Sequence, residues 1–119
     1  MYTIKEFSAL SELEISTLRY YEKLGILVPK RNKNNYRVYF QEDLTWIQFI
    51  LRLKQIGMSL KNIQEYSSLR SKGDHTIKER IDLLNKQEKI LVNKITELEE
   101  NLLFLQKKQK IYSNLLSNF

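Results

Sequence analysis

Residues 16–27 read "STLRYYEKLGIL". An arginine and two adjacent tyrosines sit inside a stretch of helical character, and a glycine closes it. Leu18 and Leu24 share one side of a helix expected over Ile15 to Leu24. Ser16, Arg19, Tyr20 and Lys23 follow at i, i+3, i+4 and i+7 on the opposite side. That second face offers a hydroxyl, a guanidinium, a phenol and an ammonium, with no carboxylate among the four. All can donate to phosphate oxygens or base edges. Tyr21 lies about 100° further round, so it is expected to straddle the two sides. Gly25 is the expected stop, able to take the left-handed conformation at no steric cost. Taken alone, the polar face is equally well explained as solvated surface, and the flanking sequence decides between the two.

Upstream, "TIKE" at Thr3 to Glu6 fits a capping box. Ile4, Phe7 and Leu10 follow at helical spacing, so a short helix is expected over about residues 3–10. "SELE" must then turn the chain. Two short helices joined by a tight turn make a helix-turn-helix candidate. Downstream of Pro29 the period changes. Tyr36, Val38 and Phe40 alternate with Arg37 and Tyr39, which reads as a strand. "ILVPK" can supply its partner and "NKNN" the turn, because Asn tolerates positive φ. Lys30, Arg31, Lys33 and Arg37 place four cations here with no acid between them. A basic wing with interleaved tyrosines, beside a basic helix, is the layout of a winged DNA reader.

The whole chain supports that reading. Its 119 residues carry a formal net charge of +6, a balance suited to a polyanionic partner. Residues 1–73 hold twelve basic and seven acidic groups; residues 74–119 hold eight and seven. The excess therefore lies in the front half. Helical spacing returns over Gln41 to Ile56, with Leu44, Ile47, Ile50, Leu51 and Leu53 apolar. Gly57 should end that helix, and Ser59 should cap a further one carrying Leu60, Ile63, Tyr66 and Leu69. "SKGD" at 71–74 breaks the pattern. Beyond it, positions 77, 81, 84, 88, 91, 95, 98, 102, 105, 109, 112 and 116 alternate gaps of four and three, and ten of the twelve are apolar. This is a coiled-coil pattern, about 65 Å long at the α-helical rise. Such a stripe needs a partner helix, and a second copy is the simplest one. Ile81, Leu84, Leu91, Ile95, Leu98, Leu102 and Leu105 are the expected dimerisation residues. Glu88 and Gln109 are polar on the seam, which solvent near the seam tolerates.

The expected fold is thus mostly α: a winged helix-turn-helix head over 1–73 and a long coiled-coil helix over 74–119. No catalytic site is expected. The chain has no cysteine, a lone His75, and three glycines too scattered for a phosphate loop. No thiolate metal site or cofactor motif is present either. No leader or membrane span is legible, so a cytoplasmic protein is the default expectation.

The assembled motifs resemble those of the MerR-type transcription regulators. "TLRYY" stands at Thr17–Tyr21; Gly25–Leu27 with Pro29 and Arg31 matches the next element; Tyr36–Arg37 with Tyr39 matches "GYRxY". Asp43–Leu44 and Gly57–Ile63 complete a similarity covering about residues 2–70, and the long helix has its family counterpart. The resemblance implies a homodimer joined by an antiparallel coiled coil. It implies a second helix in the major groove and a wing on the flanking backbone. Double-stranded promoter DNA would be bound at a pseudo-palindrome, then bent and untwisted so that RNA polymerase is affected through the DNA. By position, Arg19, Tyr20, Tyr21 and Arg37 would contact DNA, with Thr17, Lys30, Arg31 and Tyr39 as further contacts. An architectural DNA-bending factor of the excisionase type is the alternative, and a coiled-coil interaction protein a third.

This sequence departs from the family pattern at several points. The turn usually written "TGVS" is "SELE", with Glu12 for the glycine and Glu14 for the capping serine. Asn35 replaces the glycine of "GYR". The cysteines of metal-sensing members are missing, so thiolate metal sensing is not expected. No separate effector domain is legible. An effector, of unknown identity, would bind in the head, at its junction with the long helix or within the dimer. The final "IYSNLLSNF" is expected to serve dimer packing.

Overall fold

The computed structural model describes all 119 residues. Its elements run α1 (Ile4–Ser11), α2 (Ile15–Lys23), β1 (Lys30–Arg31), β2 (Arg37–Val38), α3 (Gln41–Gln55) and α4 (Leu60–Lys72). A 3₁₀ turn (Asp74–Thr76) then leads into α5 (Ile77–Ser117). The chain forms two compact units, Met1–Leu83 and Leu84–Phe119. Gly73 closes α4 where the sequence breaks, and the first unit continues through Leu83.

Local signals set most boundaries of the first unit. Thr3 caps α1: its hydroxyl accepts from the Glu6 N–H at 3.1 Å, and its own N–H donates to the Glu6 carboxylate at 2.9 Å. Those bonds, the backbone one first, hold the Glu6 carboxyl below its ordinary value. Gly25 takes φ 77° after α2. Its N–H donates to the Glu22 carbonyl at 3.0 Å, and the Ile26 N–H donates to the Tyr21 carbonyl at 2.9 Å. This paired arrangement is a Schellman stop. Asp43 closes the start of α3 by accepting from the Phe40 N–H at 2.8 Å. Ser59 caps α4 by accepting from the Asn62 N–H at 3.2 Å.

The core lies where these helices cross. Phe7, Leu18, Leu27, Ile47, Ile50 and Ile63 are almost wholly buried. At about 25 cal/mol per Å² of apolar surface removed from water, these side chains hold the unit together. Two polar bonds fix the helices more narrowly. Trp46 Nε1 donates to the Ile26 carbonyl at 2.7 Å, and Gln64 Nε2 donates to the Leu24 carbonyl at 3.2 Å. Both acceptors follow α2 directly, so α3 and α4 together clamp the end of that helix.

The second unit is one helix. From Glu88 to Phe119 every residue except Leu91 is exposed. Ile95, Leu98, Leu102 and Leu105 are 46%, 66%, 54% and 54% exposed. From Ile95 onward the heptad seam therefore has no covering within the chain. No helix is long and apolar enough to cross a membrane.

Candidate nucleic-acid interface

The polar face of α2 is outward, as its spacing predicts. Ser16, Arg19, Tyr20 and Lys23 are exposed while Leu18 is fully buried. The turn before α2 is pinned from both sides. Ser8 donates to the Leu13 carbonyl, and the Leu13 N–H donates to Ser11 Oγ at 3.4 Å.

The wing is a two-stranded antiparallel hairpin with Lys30 opposite Val38 and Arg31 opposite Arg37. Asn32 Oδ1 accepts from the N–H groups of Asn34 and Tyr36, both at 3.0 Å, and so builds the tip. Asn35 takes φ 63°, the left-handed conformation that Asn tolerates better than most residues. A third segment joins the hairpin. Tyr2 exchanges two backbone hydrogen bonds with Tyr39, at 2.7 and 2.8 Å.

Between α2, the start of α1 and the wing lies an open cleft of about 390 Å³, lined among others by Arg19, Arg31, Arg37 and Tyr36. Three arginines thus line one concavity. Arg19 makes no hydrogen bond or ion pair within the chain. Arg37 Nε donates to both Glu22 carboxylate oxygens, at 2.7 and 3.1 Å, and this bonding raises the Arg37 pKa further. Arg31 Nη2 stands 3.6 Å from Glu22, and its Nη1 donates to the Asn35 carbonyl at 3.2 Å. Lys30 lies over the Phe40 ring at 5.3 Å. Thr17 is half-buried on α2.

Two expected contacts are corrected. Tyr39 is fully buried, stacked on Phe7 at 4.3 Å, and cannot reach DNA. The alternation read from the sequence stops early: β2 ends at Val38, and both Val38 and Tyr39 face inward. The Tyr39 hydroxyl is buried without a partner, and burial first, then Glu22, pushes its pKa up. Tyr21 does not straddle two sides, since at 4% exposure it is a core residue. It borders a small apolar pocket of about 160 Å³ with Tyr20, Ile50 and Met58. Conversely, Tyr36 lines the cleft and Glu22 bonds two of its arginines, and neither is among the site residues expected from the sequence. Tyr36, 68% exposed, was legible as an aromatic among cations. Glu22 was not legible, because its partner stands fifteen positions away.

The family described as "MerR HTH family regulatory protein" matches residues 2–69, and the one described as "MerR, DNA binding" matches residues 44–107. The chain belongs to the MerR family. Among MerR-type relatives, the regulator AdhR of Bacillus subtilis is 37% identical over 81 residues, 67% of this chain and 58% of that protein. A protein from Listeria monocytogenes assigned to the MerR family superposes with a TM-score of 0.85 at 35% identity, covering 95% of this chain and 86% of that one. HiNmlR, a MerR family regulator lacking the sensor domain and bound to promoter DNA, superposes at 0.79 with 33% identity, covering 95% and 90%. Against the MerR pattern, Glu12 adopts φ 59° at the position usually held by glycine. Glu14 stands at the start of α2 without a side-chain capping bond.

Proposed function

We propose that this MerR-family chain is a homodimeric, sequence-specific regulator of transcription that binds double-stranded promoter DNA. One observation carries the reading: the cleft between α2 and the wing gathers Arg19, Arg31 and Arg37 beside the exposed Tyr36. Helix α2 enters the major groove with Arg19 and Tyr20 foremost, and Arg31, Arg37, Lys30 and Tyr36 follow the backbone beside it. Thr17 is an auxiliary contact. The uncovered seam of α5 pairs with the same seam of a second copy in antiparallel fashion, through Ile81, Leu84, Leu91, Ile95, Leu98, Leu102 and Leu105. Two heads then read the halves of a pseudo-palindrome. Bending and untwisting the spacer between promoter elements alters access for RNA polymerase through the DNA. The chain acts in the cytoplasm and performs no catalysis.

Selection of bound duplex from a random pool, followed by footprinting at the matching promoter, tests this. The expected result is one protected pseudo-palindrome lying between promoter elements. Protection without two-fold symmetry would favour an architectural bender instead. In a gel-shift titration Arg19→Ala is expected to weaken binding by about tenfold or more, as lost groove contacts cost about 1–3 kcal/mol. Unchanged affinity would remove α2 from the interface.

A further inference from the structure

We propose that Glu22 is a positioning residue of the DNA interface, tethering two wing arginines and limiting the charge they present to phosphate. The inference rests on the DNA-binding reading above. Glu22 sits on α2, three residues after Arg19, with its side chain 20% exposed. It is the one carboxylate bonded to the arginines of the cleft.

The geometry of the tether is asymmetric. Glu22 engages Arg37 through Nε alone, at 2.7 and 3.1 Å. Both Nη groups of Arg37 are left without a partner in the chain. The Nη edge of a guanidinium is the part that forks onto phosphate. The carboxylate therefore holds the inner edge and leaves the outer edge free at a fixed direction. Arg31 is held at two points, by Glu22 at 3.6 Å and by the Asn35 carbonyl at 3.2 Å. Arg19, across the cleft, is untethered. The helix that reads bases thus also sets the angle of the wing's phosphate-binding groups.

A carboxylate beside DNA opposes binding to any duplex, and a partly exposed ion pair contributes little stability. Its effect is on discrimination. Non-specific affinity follows the number of cations given to phosphates, whereas specific binding also needs those contacts in fixed register with the bases. Glu22 cancels one charge of the Arg31–Arg37 pair and fixes the pair's position. Both effects lower non-specific binding more than specific binding.

The test titrates the full chain, by fluorescence anisotropy at several salt concentrations, against the selected duplex and a scrambled duplex of equal length. Glu22→Gln keeps the shape and one acceptor but removes the charge. It is expected to tighten binding to the scrambled duplex about tenfold and to steepen the log–log salt slope by about one unit. Affinity for the selected duplex changes much less, so the specificity ratio falls by up to about tenfold. Glu22→Asp, which retains the charge, is expected to keep the wild-type slope. In a background carrying both Arg31→Gln and Arg37→Gln the effect of Glu22→Gln on the ratio is expected to shrink below about twofold, since the residue acts through those two arginines. Equal slopes for the Gln and Asp variants would overturn the inference. So would parallel weakening on both duplexes at unchanged slope, the signature of a mere brace. Wild-type protein with no preference for its selected duplex would remove the DNA reading itself, and the inference with it.

Discussion

The head and the stem spend their hydrophobic residues in opposite ways. In the head, Phe7, Leu18, Ile47 and Ile50 are at most 1% exposed, and the helices around them are capped and cross-bonded. In the stem, Leu98, Leu102 and Phe104 are 66%, 54% and 70% exposed on an uninterrupted helix. Monomeric proteins seldom leave a continuous apolar surface of that kind. An isolated helix also gains little from propensity alone, because its stability comes chiefly from packing. The head's sequence is answered within one chain, and the stem's requires a second. Recognition and assembly are therefore separable by mutation, with the larger effects expected in the stem.

Leu98→Lys is the most disruptive test of that separation. It places an ammonium on the seam, and in a two-fold dimer it does so twice. Uncompensated buried charge costs about 3–5 kcal/mol, so the dimer dissociation constant should rise by at least about a thousandfold. Sedimentation should then show monomers whose head keeps its near-ultraviolet circular dichroism. Operator affinity should collapse with the loss of the second half-site. Dimers at the wild-type concentration would show that the seam is placed on the wrong face of α5.

The same contrast explains what the sequence disclosed. Caps and stops are local: Thr3 with Glu6, Gly25, and Ser59 announce helix ends because their partners lie within a few residues. The heptad pattern of α5 is local too. The outward face of α2 was legible because its period separates Leu18 from Arg19 and Tyr20. What stayed hidden depends on distant pairing. By sequence Tyr39 reads as a wing residue, yet a single bridge to Tyr2 and the ring of Phe7 draw it inward. Glu22 carried no signal of its own, since only the packing of the wing onto α2 brings it to Arg37 and Arg31. Tyr21 follows two outward-facing residues, and its inward direction comes from the position of α2 over the core.

Tyr39→Phe sharpens the head's side of the comparison. The hydroxyl is buried without a partner, and an unsatisfied buried group costs about 1–3 kcal/mol. Its removal, with the Phe7 stack kept, should stabilise the head by about 1 kcal/mol and raise its melting temperature by about 4–8 °C. The substitution should also change the alkaline response. Burial raises the Tyr39 pKa in the folded state above the ordinary 10.0, so the unfolded chain loses the proton first. Ionisation of this group leaves stability unchanged below about pH 10 and lowers it as pH climbs through the folded value. Thermal melts between neutral and alkaline pH should therefore fall less for the variant than for wild type. A lower melting temperature for Tyr39→Phe at neutral pH would mean that the hydroxyl has a bonded partner.

The smallest expected effect lies at the turn that presents α2. Glu12 holds φ 59° and ψ 26° at the end of α1, a conformation that costs a residue with Cβ about 1–2 kcal/mol. Glycine removes that cost but gives back part of it through the greater freedom of the unfolded chain, about 0.5–1 kcal/mol. Glu12→Gly should therefore stabilise the head by about 0.5–1 kcal/mol. Glu12→Ala keeps the Cβ and should give no such gain, which separates backbone strain from the loss of charge. Each variant also removes a carboxylate from the turn that precedes α2. If both raise DNA affinity equally while only Gly raises the melting temperature, charge and strain at this turn are independent. If Gly and Ala melt alike, the left-handed conformation at Glu12 carries no strain, and the turn is held by the Ser8, Ser11 and Leu13 bonds alone.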